Sequence, residues 1–370
     1  MTFKDTPNSL RTGSWEMYSP PSSVSKKHTL VILGEAPGAD EEKAGVPFVG
    51  ASGRLLREQL LPDAGLDIGD WHVLNTFIRR PPNNDLSKEW FANKTELKKL
   101  GLIPQGDPLN KRYLLPDHRW QLAELDTRLR ELQPDLIVCL GGTALWAVSG
   151  DGAIGTHRGT FFHSRYGLAL ATYHPAALLR QWSNVPLAWA DLRKVRQHLE
   201  GTLPSPLRRR IWVNPTWAEL AALHARFRAQ PKMVLGVDIE TSPACGQITT
   251  FGIGSATEAI VIPFFNKYDH SGNHNFWKTA AEEVRAWRWV KRFAELPNPK
   301  VLQNGLYDSQ WLLDAPIPIR LTNWEDDTVV LAHALQPELP KSLGTLASLH
   351  LNEPSWKQMR TSAKDAKAEE

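Results

Sequence analysis

The run Thr29-Leu-Val-Ile-Leu-Gly-Glu-Ala-Pro-Gly38 passes from an unbroken apolar stretch straight into a polar turn. Four consecutive apolar side chains before a glycine fit a strand buried on both faces, the habit of a parallel sheet rather than of a half-solvated antiparallel one. Outward from it the same pattern returns three times. Trp71-His-Val-Leu74 precedes Asn75, Leu136-Ile-Val-Cys-Leu140 precedes Gly141, and Leu168-Ala-Leu-Ala-Thr-Tyr173 precedes His174. Helical patterns fill the intervals at Ser52–Leu61, Trp120–Leu132 and Ala188–Leu199, so the region reads as α/β with a parallel sheet.

Ligands of open parallel sheets bind outside the carboxyl ends of the strands. The polar signatures fall there: Gly34-Glu-Ala-Pro-Gly38, Pro47-Phe-Val-Gly50, Asn75 and His174-Pro-Ala-Ala-Leu-Leu-Arg180. Together they offer a carboxylate, an aromatic face, an amide that donates and accepts, and an imidazole. Such a set can hold a nucleobase, with Phe48 stacking, Asn75 reading the edge and His174 donating to a carbonyl. A pocket that binds DNA or nothing is the plainer alternative.

Gly34–Gly38, Pro47–Gly50 with Ser52-Gly-Arg-Leu-Leu56, and His174–Arg180 resemble the motifs of the uracil-DNA glycosylase superfamily, nearest its iron–sulfur branch, over about residues 29–200. The resemblance implies a three-layer parallel-sheet domain that excises a flipped base. It implies that Glu35 orients water or stabilises the cationic sugar, Phe48 and Asn75 bind the base, and His174 donates to the departing base. Leu178, Leu179 and Arg180 resemble the loop that wedges into duplex DNA. The branch's four cluster cysteines are absent, so no iron–sulfur cluster is expected.

A second module opens with Ile211-Trp-Val, a helix at Trp217–Ala229 and the strand Val234-Leu-Gly-Val-Asp-Ile-Glu240. Side chains two apart on a strand share a face, so Asp238 and Glu240 point one way while Ile239 enters the core. In Asn304-Gly-Leu-Tyr-Asp308, a helix starting at Asn304 makes Asn304 and Asp308 neighbours on one face. Converging carboxylates at that spacing suit two divalent ions in phosphodiester chemistry; a solvated strand edge is the alternative. The segment, about 208–370, resembles the 3′–5′ proofreading exonuclease domain of family A DNA polymerases, particularly those of bacteriophages, with a ribonuclease H-like fold. The resemblance implies Asp238, Glu240 and Asp308 as ligands of Mg2+ or Mn2+, Asn304 as a DNA contact, Asp327 as structural, and His333 and Trp356 as core or surface residues. The family's Tyr-x-x-x-Asp motif is missing; Thr361-Ser-Ala-Lys-Asp365 has only its spacing. The motif is expected just past residue 370, in which case the chain is a fragment or the first product of a split polymerase gene, with a polymerase polypeptide as partner.

Composition bounds these readings. The 370 residues carry 43 basic and 40 acidic side chains and two cysteines, which excludes a disulfide framework, a four-thiolate zinc site and a four-cysteine cluster within the chain. Residues 232–370 hold 14 basic and 17 acidic side chains, and residues 1–231 hold 29 and 23. That is the polarity of a DNA-gripping first part joined to a metal-dependent second. No apolar run reaches membrane-spanning length and no secretory leader opens the chain, so a cytoplasmic protein is expected, in host cytoplasm if phage-encoded. The expected organisation is an arm (1–28), a glycosylase-like domain (29–201), a linker (202–210) and an exonuclease-like domain (211–370). Its function is expected to be the editing portion of a DNA polymerase binding single strands and primer–template. The alternatives are a stand-alone uracil-DNA glycosylase whose second module docks DNA or a partner, and a non-catalytic DNA-binding scaffold.

Overall fold

In the computed structural model, β1 (Leu30–Gly34) has all five residues buried. A strand so apolar needs a neighbour on each side. β2 (Trp71–Asn75) and β3 (Leu136–Leu140) supply them, both parallel to it. β4 (Phe161–Ser164) and β5 (Gly167–Thr172) complete the order β2-β1-β3-β5-β4, with β4 the one antiparallel edge. The structure describes residues 28–205, 207–242, 246–266 and 274–352.

Alternation along the strands divides the core into two layers. Leu30 and Ile32 pack with Leu56, Leu60, Leu192 and Val195, from the helix that starts as α1 (Ala51–Leu55) and from the later Val185–Leu199 helix. Val31 and Leu33 pack with Leu125 and Leu129 of α2 (Arg119–Leu132) and with Leu145 and Val148 of α3 (Gly142–Ser149). The result is the three-layer parallel-sheet α/β class. Two further helices matter to the site, α4 (Pro175–Arg180) and α5 (Val185–Leu199). The Pro-, Asn- and Lys-rich stretch Arg80–Pro116 is more than an insertion loop. Leu86, Trp90, Phe91, Leu109 and Leu114 form a small core with Phe77 and Trp146. Its aromatics have no periodic spacing, so sequence pattern hides them.

The described residues form two units, 28–204 with 347–352, and 205–346. The return of 347–352 to the first unit satisfies buried cations. Lys194 Nζ on α5 donates to the carbonyls of Gly159, Ser348 and Leu351 at 2.8, 2.6 and 2.8 Å. Arg158 donates to Ser348 Oγ at 2.8 Å and binds Asp191 through two nitrogens, while Thr172 Oγ1 donates to Asp191 at 2.7 Å. Asp191 is wholly buried and Arg158 nearly so.

The second unit contains β6 (Arg210–Val213), β7 (Leu235–Ser242), β8 (Gln247–Gly254), β9 (Glu258–Pro263), β10 (Lys300–Leu302) and β11 (Trp324–Asp327). Their order is β11-β10-β7-β8-β9-β6. The β7-β8-β9 meander is antiparallel, and β10 and then β11 join beside β7 in parallel. A three-strand meander extended through its first strand by two parallel strands is the ribonuclease H-like arrangement. β6 adds one strand beyond it. Two of its helices begin on Thr-x-x-Glu capping boxes, Thr216/Glu219 before α6 (Trp217–Arg228) and Thr279/Glu282 before α7 (Ala280–Ala294). No helix among the described residues is long and apolar enough to cross a membrane.

Replacing Arg158 by Met leaves the buried Asp191 carboxylate without its bidentate partner. Breaking such a pair costs about 3–5 kcal/mol. The expected outcome is an earlier unfolding transition of the first unit in urea, read by circular dichroism.

Candidate active site

Parallel register sets Gly34 directly opposite Asn75 at the ends of β1 and β2. The pairing then continues past both strands. Thr76 donates to the Gly34 carbonyl from its backbone (2.9 Å) and its hydroxyl (2.8 Å), and Phe77 N–H donates to the Glu35 carbonyl at 2.9 Å. Residue 34 has no room for a side chain. A Cβ there meets Asn75 Oδ1 at 2.4 Å and the Phe48 ring at 2.6 Å. The aromatic face and the amide therefore meet over one glycine.

Phe48 is held in the left-handed region at φ +56°, a conformation that costs about 1–2 kcal/mol for an L-residue. The surroundings enforce it. Arg57 donates to the carbonyls of Pro47 and Phe48, both at 3.0 Å, and buried Glu41 accepts from Gly50 N–H at 3.0 Å.

His174 caps α4, and its Nδ1 accepts the Ala176 N–H at 3.1 Å. That contact leaves the imidazole proton on Nε2, making this edge a donor. Burial, reinforced by the nearby Arg180 charge, lowers its pKa to about 4. The ring is thus a neutral donor near pH 7. It faces the Phe48 ring at 5.9 Å with 30° between planes. Glu35, one residue beyond β1, accepts from Thr143 Oγ1 at 2.5 Å. Phe48, Asn75 and His174 thus gather at the strand ends around Gly34, and Glu35 is the next residue of that turn.

The three wedge candidates divide. Leu178 is 1% exposed and packs into the core, because it lies one turn beyond the His174 cap on the inward face of α4. It does not present itself to DNA. Leu179 is 47% exposed and Arg180 lies at the surface, beside Trp182 at 57%.

Residues 21–199 match the model of the uracil DNA glycosylase superfamily. Type-4 uracil-DNA glycosylases of Archaeoglobus fulgidus and Pyrobaculum aerophilum are 33% and 34% identical to this chain, over 43% and 44% of its length and 71% and 73% of theirs. The chain belongs to the uracil-DNA glycosylase superfamily. It is thereby a member of an enzyme family of hydrolases. Solved structures with a general likeness include the catalytic core of RRP6 from Trypanosoma brucei (16% identity, 43% of this chain, 44% of that one, TM-score 0.25). The EXD2 exonuclease domain soaked in Mg and GMP is another (20% identity, 42% and 83%, TM-score 0.24).

With two cysteines in 370 residues, the chain lacks the donor set for a four-cysteine cluster. Cys139 is buried in β3, where burial pushes its thiol pKa far up. Cys245 lies outside the described residues.

In the second unit, Asp238 and Glu240 lie on the exposed face of β7, with Ile239 buried between them. Asp308, in α8 (Gly305–Leu313), accepts the Ile239 N–H at 3.0 Å. This brings all three carboxylates to one stretch of strand. Burial chiefly, with the Asp327 and Glu240 charges, raises the Asp308 pKa. Asn304 differs from the expected helical residue. It stands left-handed at φ +60° as the cap of α8, and its N–H and that of Gly305 bind Asp327 at 3.1 and 2.7 Å. The chain must turn sharply out of β10 there, so Asn304 and Asp308 do not form a helical i,i+4 pair. Among the described residues no group of three His, Cys, Asp or Glu side chains is arranged to hold a metal ion. The carboxylates therefore do not by themselves fit the two-ion site. Asp365 and Trp356 lie outside the described residues, and His333 is exposed.

Sequence reasoning missed Thr143, Glu41 and Arg57. The signal for Thr143 was the Gly141-Gly-Thr turn at a strand end. Arg57 and Glu41 act on backbone atoms, which no side-chain motif announces.

The His174 ring protons are expected to titrate in NMR with a midpoint near pH 4. Because this folded value lies below the unfolded 6.5, protonation of the unfolded chain comes first. Stability is therefore lost as pH falls from 6.5 through the folded value. In the Ala176→Pro variant, which removes the N–H donated to Nδ1, the midpoint is expected to rise.

Proposed function

We propose that the first unit hydrolyses the N-glycosidic bond of deoxyuridine in DNA. The observation that carries the reading is the meeting of Phe48 and Asn75 over Gly34 beside a neutral His174 whose Nε2 is the donor. A flipped uracil stacks on Phe48 and pairs its edge with the Asn75 amide. The C1′–N1 bond breaks with its electron pair leaving on the base. His174 Nε2–H stabilises the negative charge that gathers on the uracil carbonyl. Water adds to C1′ under the Glu35 carboxylate, which also steadies the positive sugar, and its proton passes to that carboxylate and then to solvent. The uracil anion takes up a proton from solvent, so the products are uracil and an abasic deoxyribose. Arg180 and Leu179, at the surface one turn beyond His174, meet the DNA backbone and the vacated stack.

A preorganised donor to a developing oxyanion contributes about 2.7–4 kcal/mol, or roughly 10²–10³ in rate. His174→Ala is therefore expected to slow uracil release by that factor. The measurement is alkali-labile cleavage of a labelled uracil-containing duplex under single-turnover conditions. Unchanged release in the variant refutes the assignment.

For the second unit we propose the 3′–5′ proofreading role of a phage-type family A polymerase. The strand order and the approach of Asp308 to Asp238 and Glu240 support it. This reading requires at least one further ligand, from Asp365 or from a polymerase polypeptide bearing a Tyr-x-x-x-Asp segment. On a mismatched primer–template with Mg2+, the expected outcome is little shortening by the chain alone. Shortening on addition of such a polypeptide is expected, and Asp238→Ala is expected to abolish it. Shortening that survives the substitution eliminates the metal-site assignment.

A further inference from the structure

Two groups of the glycosylase site are anchored from a single turn that no motif marks. Gly141, at the end of β3, stands at φ +87°, donates its N–H to the Thr172 carbonyl at 2.8 Å, and lies against His174. A Cβ on it meets His174 Cβ at 3.0 Å. Two residues on, Thr143 is 6% exposed in the first turn of α3 and donates its hydroxyl proton to Glu35 Oε2 at 2.5 Å. Gly142 between them is held just as closely, because a Cβ there meets the Gly152 carbonyl oxygen at 2.6 Å. The turn cannot slide without moving both the imidazole and the carboxylate.

We propose that Thr143 is a positioning residue that fixes the Glu35 carboxylate for attack at the sugar, an inference that rests on the glycosylase reading. A glutamate has three rotatable side-chain bonds, and its carboxylate must be placed to within a fraction of an ångström of the reacting centre. The Glu35 backbone is already pinned by Phe77 N–H. The Thr143 hydroxyl pins the other end by occupying Oε2, which leaves Oε1 to face water or the sugar cation. Thr143 touches neither base nor sugar in this scheme and acts only through Glu35.

Thr143→Val removes the hydroxyl at nearly constant volume, and Thr143→Ser keeps it. A hydrogen bond to a charged group is worth enough that Thr143→Val should lower the single-turnover rate of uracil release about 10- to 100-fold. Duplex affinity should stay within about twofold and Thr143→Ser within about threefold of the parent, the pattern of a group acting only in the transition state. Thr143→Val should cost nothing further in a Glu35→Ala background, because the two act as one unit. A second readout is binding of duplexes carrying a cationic pyrrolidine or a neutral tetrahydrofuran in place of the uridine sugar. The preference for the cation should fall in Thr143→Val and return in Thr143→Ser.

Unchanged rate and unchanged cation preference in Thr143→Val overturn the positioning role. So does a full additional loss on top of Glu35→Ala. If the parent chain neither releases uracil nor prefers the cationic duplex, the glycosylase reading falls, and the role of Thr143 falls with it.

Discussion

The close approach of Phe48 and Asn75 over Gly34 is the constraint on which the geometry of the first unit's strand-end site depends. It exists because β1 and β2 run parallel and in register, so that Gly34 and Asn75 end side by side. The approach is possible only where residue 34 has no Cβ, and it is kept rigid by bonds to backbone rather than by apolar packing alone. Phe48 in a left-handed conformation is local strain offset by its neighbours, a pattern concentrated at binding sites.

His174 is set by the same logic from the other side. It is the cap of α4, and the bond that satisfies the Ala176 N–H also decides which ring nitrogen bears the proton. Burial keeps the imidazole neutral, so its Nε2–H is a donor that carries no charge. Beneath it, Thr172 ends β5 on the buried Asp191–Arg158 pair. The strand end that presents His174 is thus tied to the charged cluster that residues 347–352 complete. Buried ion pairs add little net stability, but removing one partner of such a pair is costly.

The second unit shows the opposite balance. Its strand order positions Asp238, Glu240 and Asp308 around Ile239, yet one oxygen of Asp308 is committed to the strand's own N–H. Asp327 is drawn away to the N–H groups that start α8 and α9 (Thr328–Leu335). Asp308 and Asp327 thus hold the strand end and the helix starts in place.

The apolar runs before Gly34, Asn75, Gly141 and His174, punctuated by turn residues and separated by helical patterns, pointed to a parallel sheet, whose doubly covered strands read as near-continuous apolar runs. The alternation of Asp238, Ile239 and Glu240 likewise determined a shared carboxylate face. Glu35, Asn75 and His174 were legible as candidates, since each ends or closely follows a strand, whereas Phe48 was marked only by its Pro-Phe-Val-Gly turn between two helices. Tertiary structure decided what periodicity cannot encode. It placed Leu178 in the core instead of at the DNA surface and turned Asn304 into a left-handed cap. It folded Arg80–Pro116 around an aromatic core, and it brought Thr143 against Glu35 from 108 residues away. Local sequence specifies which face of an element is apolar and where the element stops. Which two ends then touch depends on register and on crossover connections, and those exist only once the sheet is assembled.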